Sequence, residues 1–327
     1  MAAATLAVVA FIMLGTGSSS ADEGPYPGLP APEVHPPPVQ HRTWGGAPMA
    51  SAAKAERARQ WLRTPLMTSA FDYYLGPADN PDPSRYRSCS LAGANVYLVA
   101  EVGAPHNYGI SREMTVRTVA FGTIPVEATV RLEQVRDDDG LPRPINIESL
   151  TCNPDGGTEV PDNEINTELY TRITSLVVDG VAMRLSDTCR TTVPGKMQLH
   201  GNGYWYGTVD GENVPSPPLP FWENGHFNLS TGGDLTGTID VPGFSGCVTA
   251  DGDDLSALLT ATVSGKDNPL RTYQGSAFSC TRKNPVVGGK NLPPGPGQAT
   301  VESVPCNAGN AANPLIPPVP EIPEGDR

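Results

Sequence analysis

The chain has 327 residues, 35 acidic against 22 basic side chains and a formal net charge of −13, with only 17% of positions charged. Such an acidic balance argues against nucleic acid or an anionic membrane surface as partner, because both are held by clustered cations. Glycine and proline supply 35 residues each, together about a fifth of the chain against a combined share of roughly 12% in an average protein, so much of the length goes to turns and tails.

Ala2 to Leu14 is an uninterrupted apolar run, closed by small residues through Ala21 and then by the acidic Asp22-Glu23. Ser19-Ser20-Ala21 places small side chains where a signal peptidase reads them. The run is too short to cross a hydrocarbon core, which takes about 20 residues. Residues 1–21 therefore read as a cleaved secretion signal, although no Lys or Arg precedes the run. No later stretch approaches spanning length, and the expected location is secreted or extracellular. Residues 22–47 form a Pro-rich linker, with Pro25, Pro27, Pro30, Pro32 and Pro36-Pro37-Pro38 favouring extended polyproline II. Residues 48–84 read as a helical arm. Ala50 to Leu62 is rich in Ala, Glu, Lys, Arg and Gln, has Ser51 as an N-cap and stops before Pro65. Trp61, Leu62, Leu66, Met67 and Phe71 are the residues expected to pack this arm against the first β domain.

From Tyr86 onward the pattern changes to short alternating runs broken by Gly, Pro, Asn and Asp. Val126, Ala128, Val130 and Leu132 face one way, and Glu127, Thr129, Arg131 and Glu133 the other, as in a half-buried antiparallel strand. Asp179-Gly180 is a type I′ turn dipeptide between two apolar runs, which pairs Val178 with Val181 and Leu176 with Met183. Leu235, Gly237, Ile239 and Val241 give another period-two run, and Ala261 to Ser264 a further one. Between them, Asp254 to Leu259 reads as a single helical turn. The fold class is all-β: two successive antiparallel β-sandwich-like (Ig-like) units, 85–200 and 201–282, one short N-terminal helix and disordered Pro-rich ends. Residues 283–327 form a Pro/Gly-rich C-terminal tail.

Arg85-Tyr86-Arg87-Ser88-Cys89, the Thr174–Leu185 hairpin with Asp187-Thr188-Cys189-Arg190-Thr191, and Val241-Pro242-Gly243-Phe244-Ser245-Gly246-Cys247 with the segment Asp254–Gly265 carry a resemblance. Residues 85–282 resemble exported β-rich proteins of high-GC Gram-positive (actinobacterial) bacteria. The shared motifs are framework patterns of strands, turns and cysteines. They imply export and a β fold, and bring no activity or catalytic residue.

Six cysteines in an exported chain imply disulfides. Fifteen pairings are open. Cys152 with Cys189 and Cys247 with Cys280 each bracket the strands of one expected unit, which leaves Cys89 with Cys306. The absence of any Cys-x-x-Cys pair argues against zinc.

Catalytic patterns are absent from the sequence: the five histidines are scattered and no Gly-x-Ser-x-Gly elbow occurs. Asp251, Asp253 and Asp254 form a compact acidic loop with oxygen ligands for Ca²⁺, but without EF-hand spacing; the plainer reading is a solvated turn that caps the next helical segment. Tyr204, Trp205 and Tyr206, followed by Trp222, Glu223 and His226, bring rings and hydrogen-bonding groups around a Pro-rich loop, as a sugar platform would. The same rings serve equally to fill a core. No cofactor is implied. The chain reads as a non-enzymatic binding or structural module at the cell envelope or in the medium, with a cell-wall glycan or another envelope protein as partner. The alternative is a carbohydrate-binding module or secreted glycan hydrolase using the loops at residues 204–226.

Overall fold

A computed structural model describes residues 41–56, 60–100, 108–120, 123–154, 157–209, 212–216, 225–228 and 232–274. In chain order the strands are β1 (His41–Ala55), β2 (Gln60–Ala78), β3 (Tyr86–Val99), β4 (Met114–Ala120), β5 (Ile124–Gln134), β6 (Ile145–Pro154), β7 (Gly157–Val178), β8 (Val181–Met183), β9 (Arg190–Thr191), β10 (Gly195–Val209), β11 (Glu212–Ser216), β12 (Phe227–Asn228), β13 (Gly232–Val241) and β14 (Phe244–Ser245). A helix, α1 (Ser256–Val263), then precedes β15 (Gly265–Gln274). The expected secretion signal, most of the linker and the Pro/Gly-rich tail lie outside the described residues.

All fifteen described strands belong to one antiparallel sheet, and that sheet closes on itself. Each neighbour in the circuit β7, β10, β13, β15, β1, β2, β3, β6 and back to β7 is hydrogen-bonded to the next. Closure into a barrel removes the unpaired edges that a sheet otherwise exposes. The wall between β7 and β2 has two tiers. β6 pairs with the first part of β7, from Cys152↔Glu159 to Asn146↔Asn166, and β5 with the second, from Gln134↔Leu169 to Val126↔Val178. On β2, β3 occupies Thr68 to Ala78 and β4 meets Leu62. The buried Gln134 joins the tiers: its amide accepts from Leu98 N at 2.8 Å and donates to Val96 O at 3.1 Å.

The all-β expectation holds, but the strands do not divide into two sandwich units. The expected boundary at residues 200–201 falls inside β10, which pairs on one side with β7 and on the other with β13. The helix expected over Ala50–Leu62 is also overturned, because Ala50–Ala55 form the end of β1 and Gln60–Leu62 the start of β2. Helix propensity in this segment is weaker than what the sheet offers: β1 is hydrogen-bonded on both edges, to β2 and to β15. Residues 41–47 of the expected linker belong to β1 as well. Of the strand expected over Ala261–Ser264, Ala261–Val263 are instead the end of α1, an eight-residue helix where a single turn was expected, and Ser264 is its C-cap.

The local expectations fare better. Asp179 and Gly180 both have positive φ, 48° and 79°, and the hairpin pairs Val178 with Val181 and Leu176 with Met183. The Val126–Leu132 face of β5 and the Leu235–Val241 face of β13 both point into the barrel.

The disulfides differ from the expected set. Cys89 bonds to Cys152, its direct cross-strand partner in the β3–β6 ladder. Cys189 bonds to Cys247, across the short β9–β14 ladder. Cys152–Cys189, Cys247–Cys280 and Cys89–Cys306 are thus ruled out by strand register, which brings together residues that sequence bracketing separates. Cys280 and Cys306 lie outside the described residues.

Candidate functional site

The inward faces of the strands surround a cavity of about 370 Å³. Its walls come from β1, β3 to β7, β10 and β13 to β15, and α1 contributes Leu258, Leu259, Thr262 and Val263. An eight-stranded closed barrel is about the size at which side chains either fill the interior or leave room for one small ligand. The second outcome occurs here because β1 turns Ser51, Ala53 and Ala55 inward and β5 adds Ala128. These small side chains leave unfilled the volume that large residues would take. None of the described lining residues is acidic, basic or a histidine; Val, Ile, Leu, Ala and Thr dominate.

The two ends are built differently. At one end Phe227, fully buried, fills the barrel among Ala94, Ile147, Ile165, Leu199 and Leu235. Gly201 makes this possible, since a Cβ there would overlap the Phe227 side chain. Asn163, 1% exposed, lies beside it: Ser149 Oγ donates to its Oδ1, and its Nδ2 donates to Phe227 O at 3.1 Å. Ser149 and Asn163 are thus paired with one another and with the backbone, as burial requires.

At the other end α1 lies across the opening. Leu259 packs with Phe244, Ile173, Leu176 and the Cys189–Cys247 bridge. Backbone bonds from Leu255 N to Cys247 O (2.9 Å) and side-chain bonds from Cys247 N to Ser256 Oγ (3.1 Å) and from Phe244 N to Thr260 Oγ1 (2.8 Å) hold the helix to this loop. The closure is incomplete. Leu258 on α1 and Ile124 at the β4–β5 turn both line the cavity and are 41% and 38% exposed. Val119 in the same turn, paired with Pro125, and Val181 in the adjoining β7–β8 hairpin are exposed too. An apolar rim thus surrounds an opening into an apolar lumen.

The residues singled out in the sequence are placed elsewhere. Tyr204 and Trp205 are consecutive on β10 and so face opposite ways. Tyr204 is buried against Val160, while Trp205 is 38% exposed. Tyr206 follows on β10 in the ladder to β7 and β11, and Trp222 and Glu223 lie outside the described residues. His226 is half-buried in the turn that leads Phe227 inward, with Nδ1 bonded to Gly203 O.

Asp251, Asp253 and Asp254 are exposed, and no metal-holding group of three His, Cys, Asp or Glu side chains occurs among the described residues. The loop is organised by its own backbone: Asp253 N donates to Thr249 Oγ1, and Ser256 N donates to Asp254 Oδ1 at 2.8 Å. A hydrogen bond from the Ser256 side chain, and then one from its N–H, hold the Asp254 carboxyl below the usual carboxylate value. Asp254 is therefore a helix-start residue, the plainer of its two sequence readings.

Outside the barrel, Glu133 gathers Arg131, Arg172 and Arg190 at 3.0, 2.6 and 3.9 Å, and Arg190 also stacks on Tyr170 at 4.5 Å. This cluster has the composition of a structural clamp across β5, β7 and β9: the one carboxylate is matched by three guanidinium groups, leaving no uncompensated acid.

Comparison with family models, with curated proteins and with solved structures finds no match for the chain. No described helix is long and apolar enough to cross a membrane.

Proposed function

We propose that this protein is a non-enzymatic binding module that takes an uncharged apolar molecule into its barrel lumen and acts outside the cytoplasm. The observation that carries the proposal is the cavity itself: about 370 Å³ in volume, within the 300–1,000 Å³ usual for small-molecule sites, walled by side chains without charge and open at an apolar rim. Burial of a ligand there gains about 0.8 kcal/mol for each methylene removed from water. The two disulfides support the location, since such bonds persist in oxidising compartments. A glycan module has the exposed ring of Trp205 behind it. The lumen is the better-formed site.

The test is titration of the purified chain with N-phenyl-1-naphthylamine, an uncharged dye whose emission rises in apolar surroundings. Saturable one-to-one binding is expected, and Ala128→Phe, which fills the lumen from β5, abolishes it while the circular dichroism spectrum is retained. Absence of saturable binding by the wild type, with native mass spectrometry showing no retained apolar molecule, overturns the proposal.

A further inference from the structure

Three buried side-chain polar atoms have no hydrogen-bond partner among the described residues: Asp162 Oδ1, Arg172 Nε and Gln274 Nε2. The first two have close side-chain partners, since His200 Nδ1 lies 2.7 Å from Asp162 Oδ1 and Glu133 Oε1 lies 2.6 Å from Arg172 Nε. Gln274 Nε2 has no such partner among the described residues. A primary amide left unsatisfied inside a protein costs free energy of the same order as a lost hydrogen bond, so such a group calls for an explanation.

Its position supplies one. Gln274 is 7% exposed and lines the lumen. It lies at the end of β15 away from α1, opposite Ser51 on β1 and Gly233 on β13, and so at the level of the Phe227 floor. Gly265, at the other end of this ten-residue strand, directly follows the helix at the mouth. At 3.3–3.4 Å per residue the strand is about 30 Å long. Between the two ends the inward positions of β15 are Leu270 and Thr272, preceded by Asn268, whose Nδ2 already donates to Gly265 O at 3.1 Å. The lumen thus has an apolar shaft and an unpaired hydrogen-bond donor at its inner end.

We infer that Gln274 is a specificity residue that receives the carbonyl oxygen of a neutral lipid, such as a long-chain ester, entering head-first with its tail directed toward α1. This rests on the lumen being a ligand site, as proposed above. The lining selects among headgroups. A carboxylate or phosphate brought to this depth meets no cation among the described lining residues and bears the full desolvation cost of an ion. A pure alkane leaves Nε2 unsatisfied. An ester or ketone carbonyl accepts the bond and carries no charge.

The experiment is displacement of N-phenyl-1-naphthylamine from the full chain by dodecane, methyl dodecanoate and dodecanoate, the last at about pH 8, where the carboxyl is ionised. The wild type is expected to bind methyl dodecanoate about three- to tenfold more tightly than dodecane, the worth of one hydrogen bond, and dodecanoate no more tightly than dodecane. Gln274→Met, close in shape but without a donor, brings the ester-to-alkane ratio to about one. Gln274→Leu serves as the second variant. Both keep or raise the melting temperature, because an unsatisfied polar group is removed; a structural amide would lower it. An equal ratio in the wild type, a ratio that survives in Gln274→Met, or tighter binding of dodecanoate than of the ester overturns the inference. These outcomes leave the lumen proposal standing. Dye binding with no displacement by any of the three molecules overturns the inference alone, whereas absence of dye binding fails the lumen proposal itself.

Discussion

The two ends of the barrel solve the same problem, closing a cylinder, with different materials. The Phe227 end uses one large ring fitted over Gly201 and a paired Asn163–Ser149 floor, within one packed cluster drawn from several strands. The α1 end uses an eight-residue helix attached through a disulfide loop, with Leu258 and Ile124 left part-exposed. A packed plug distributes its support over many contacts and opens only with the fold. A tethered helix relies on a few bonds and can shift while the barrel stays intact. Stability therefore concentrates at one end and access at the other.

Phe227→Ala is the severest test of that contrast. The ring is fully buried, and its loss is expected to cost about 3–5 kcal/mol in denaturant unfolding. A loss under about 1 kcal/mol would mean the plug collapses easily and that the floor is not the stable end. Next come the bridges. Their sequence separations, 63 and 58 residues, predict similar stability losses of about 2–4 kcal/mol on replacing either pair with serine. Their effects on access should differ. Removing Cys189–Cys247 speeds dye entry in stopped-flow measurements, and removing Cys89–Cys152 does not. Equal acceleration by both would erase the distinction between the ends.

Gly201→Ala is expected to cost about 1–3 kcal/mol by overpacking against Phe227, with little change in dye entry. Conversely, Ile124→Ser and Leu258→Ser at the rim should cost only about 1 kcal/mol, because both side chains are already part-exposed, while weakening dye binding measured by fluorescence titration. The smallest effect belongs to Asp254. Its carboxyl is held below the usual carboxylate value in the folded protein, so its stabilising contribution is full above the unfolded pKa and is lost as pH falls through the folded one. Asp254→Asn should lower the melting temperature near neutral pH, and the gap from wild type should close on acidification.

Particular elements show how far sequence reading reaches. The Asp179-Gly180 hairpin was legible to the residue pair, because a two-residue turn with positive φ leaves one register open. The inward faces of β5 and β13 were legible from their period of two. The Ala50–Leu62 segment misled, since its Ala, Lys and Glu content favours a helix only where no sheet edge competes, and here β2 and β15 hydrogen-bond to β1 on both sides. The site was the least legible part. Its walls draw residues from strands all round the barrel and from α1, and Gln274 carries no local mark that separates it from any other strand glutamine. The rings of the aromatic segment are adjacent in sequence, yet adjacency on a strand sends Tyr204 and Trp205 to opposite faces.

By itself the chain determined that it is built from β-strands, where several of them turn and which face of each is apolar, because these are properties of neighbouring residues. Only the tertiary structure decided that the strands close into one barrel, that Cys89 meets Cys152 and Cys189 meets Cys247, and that a cavity remains inside. Those outcomes depend on the register of distant strands and on the summed volume of the side chains they turn inward. Neither quantity is contained in any one stretch of sequence.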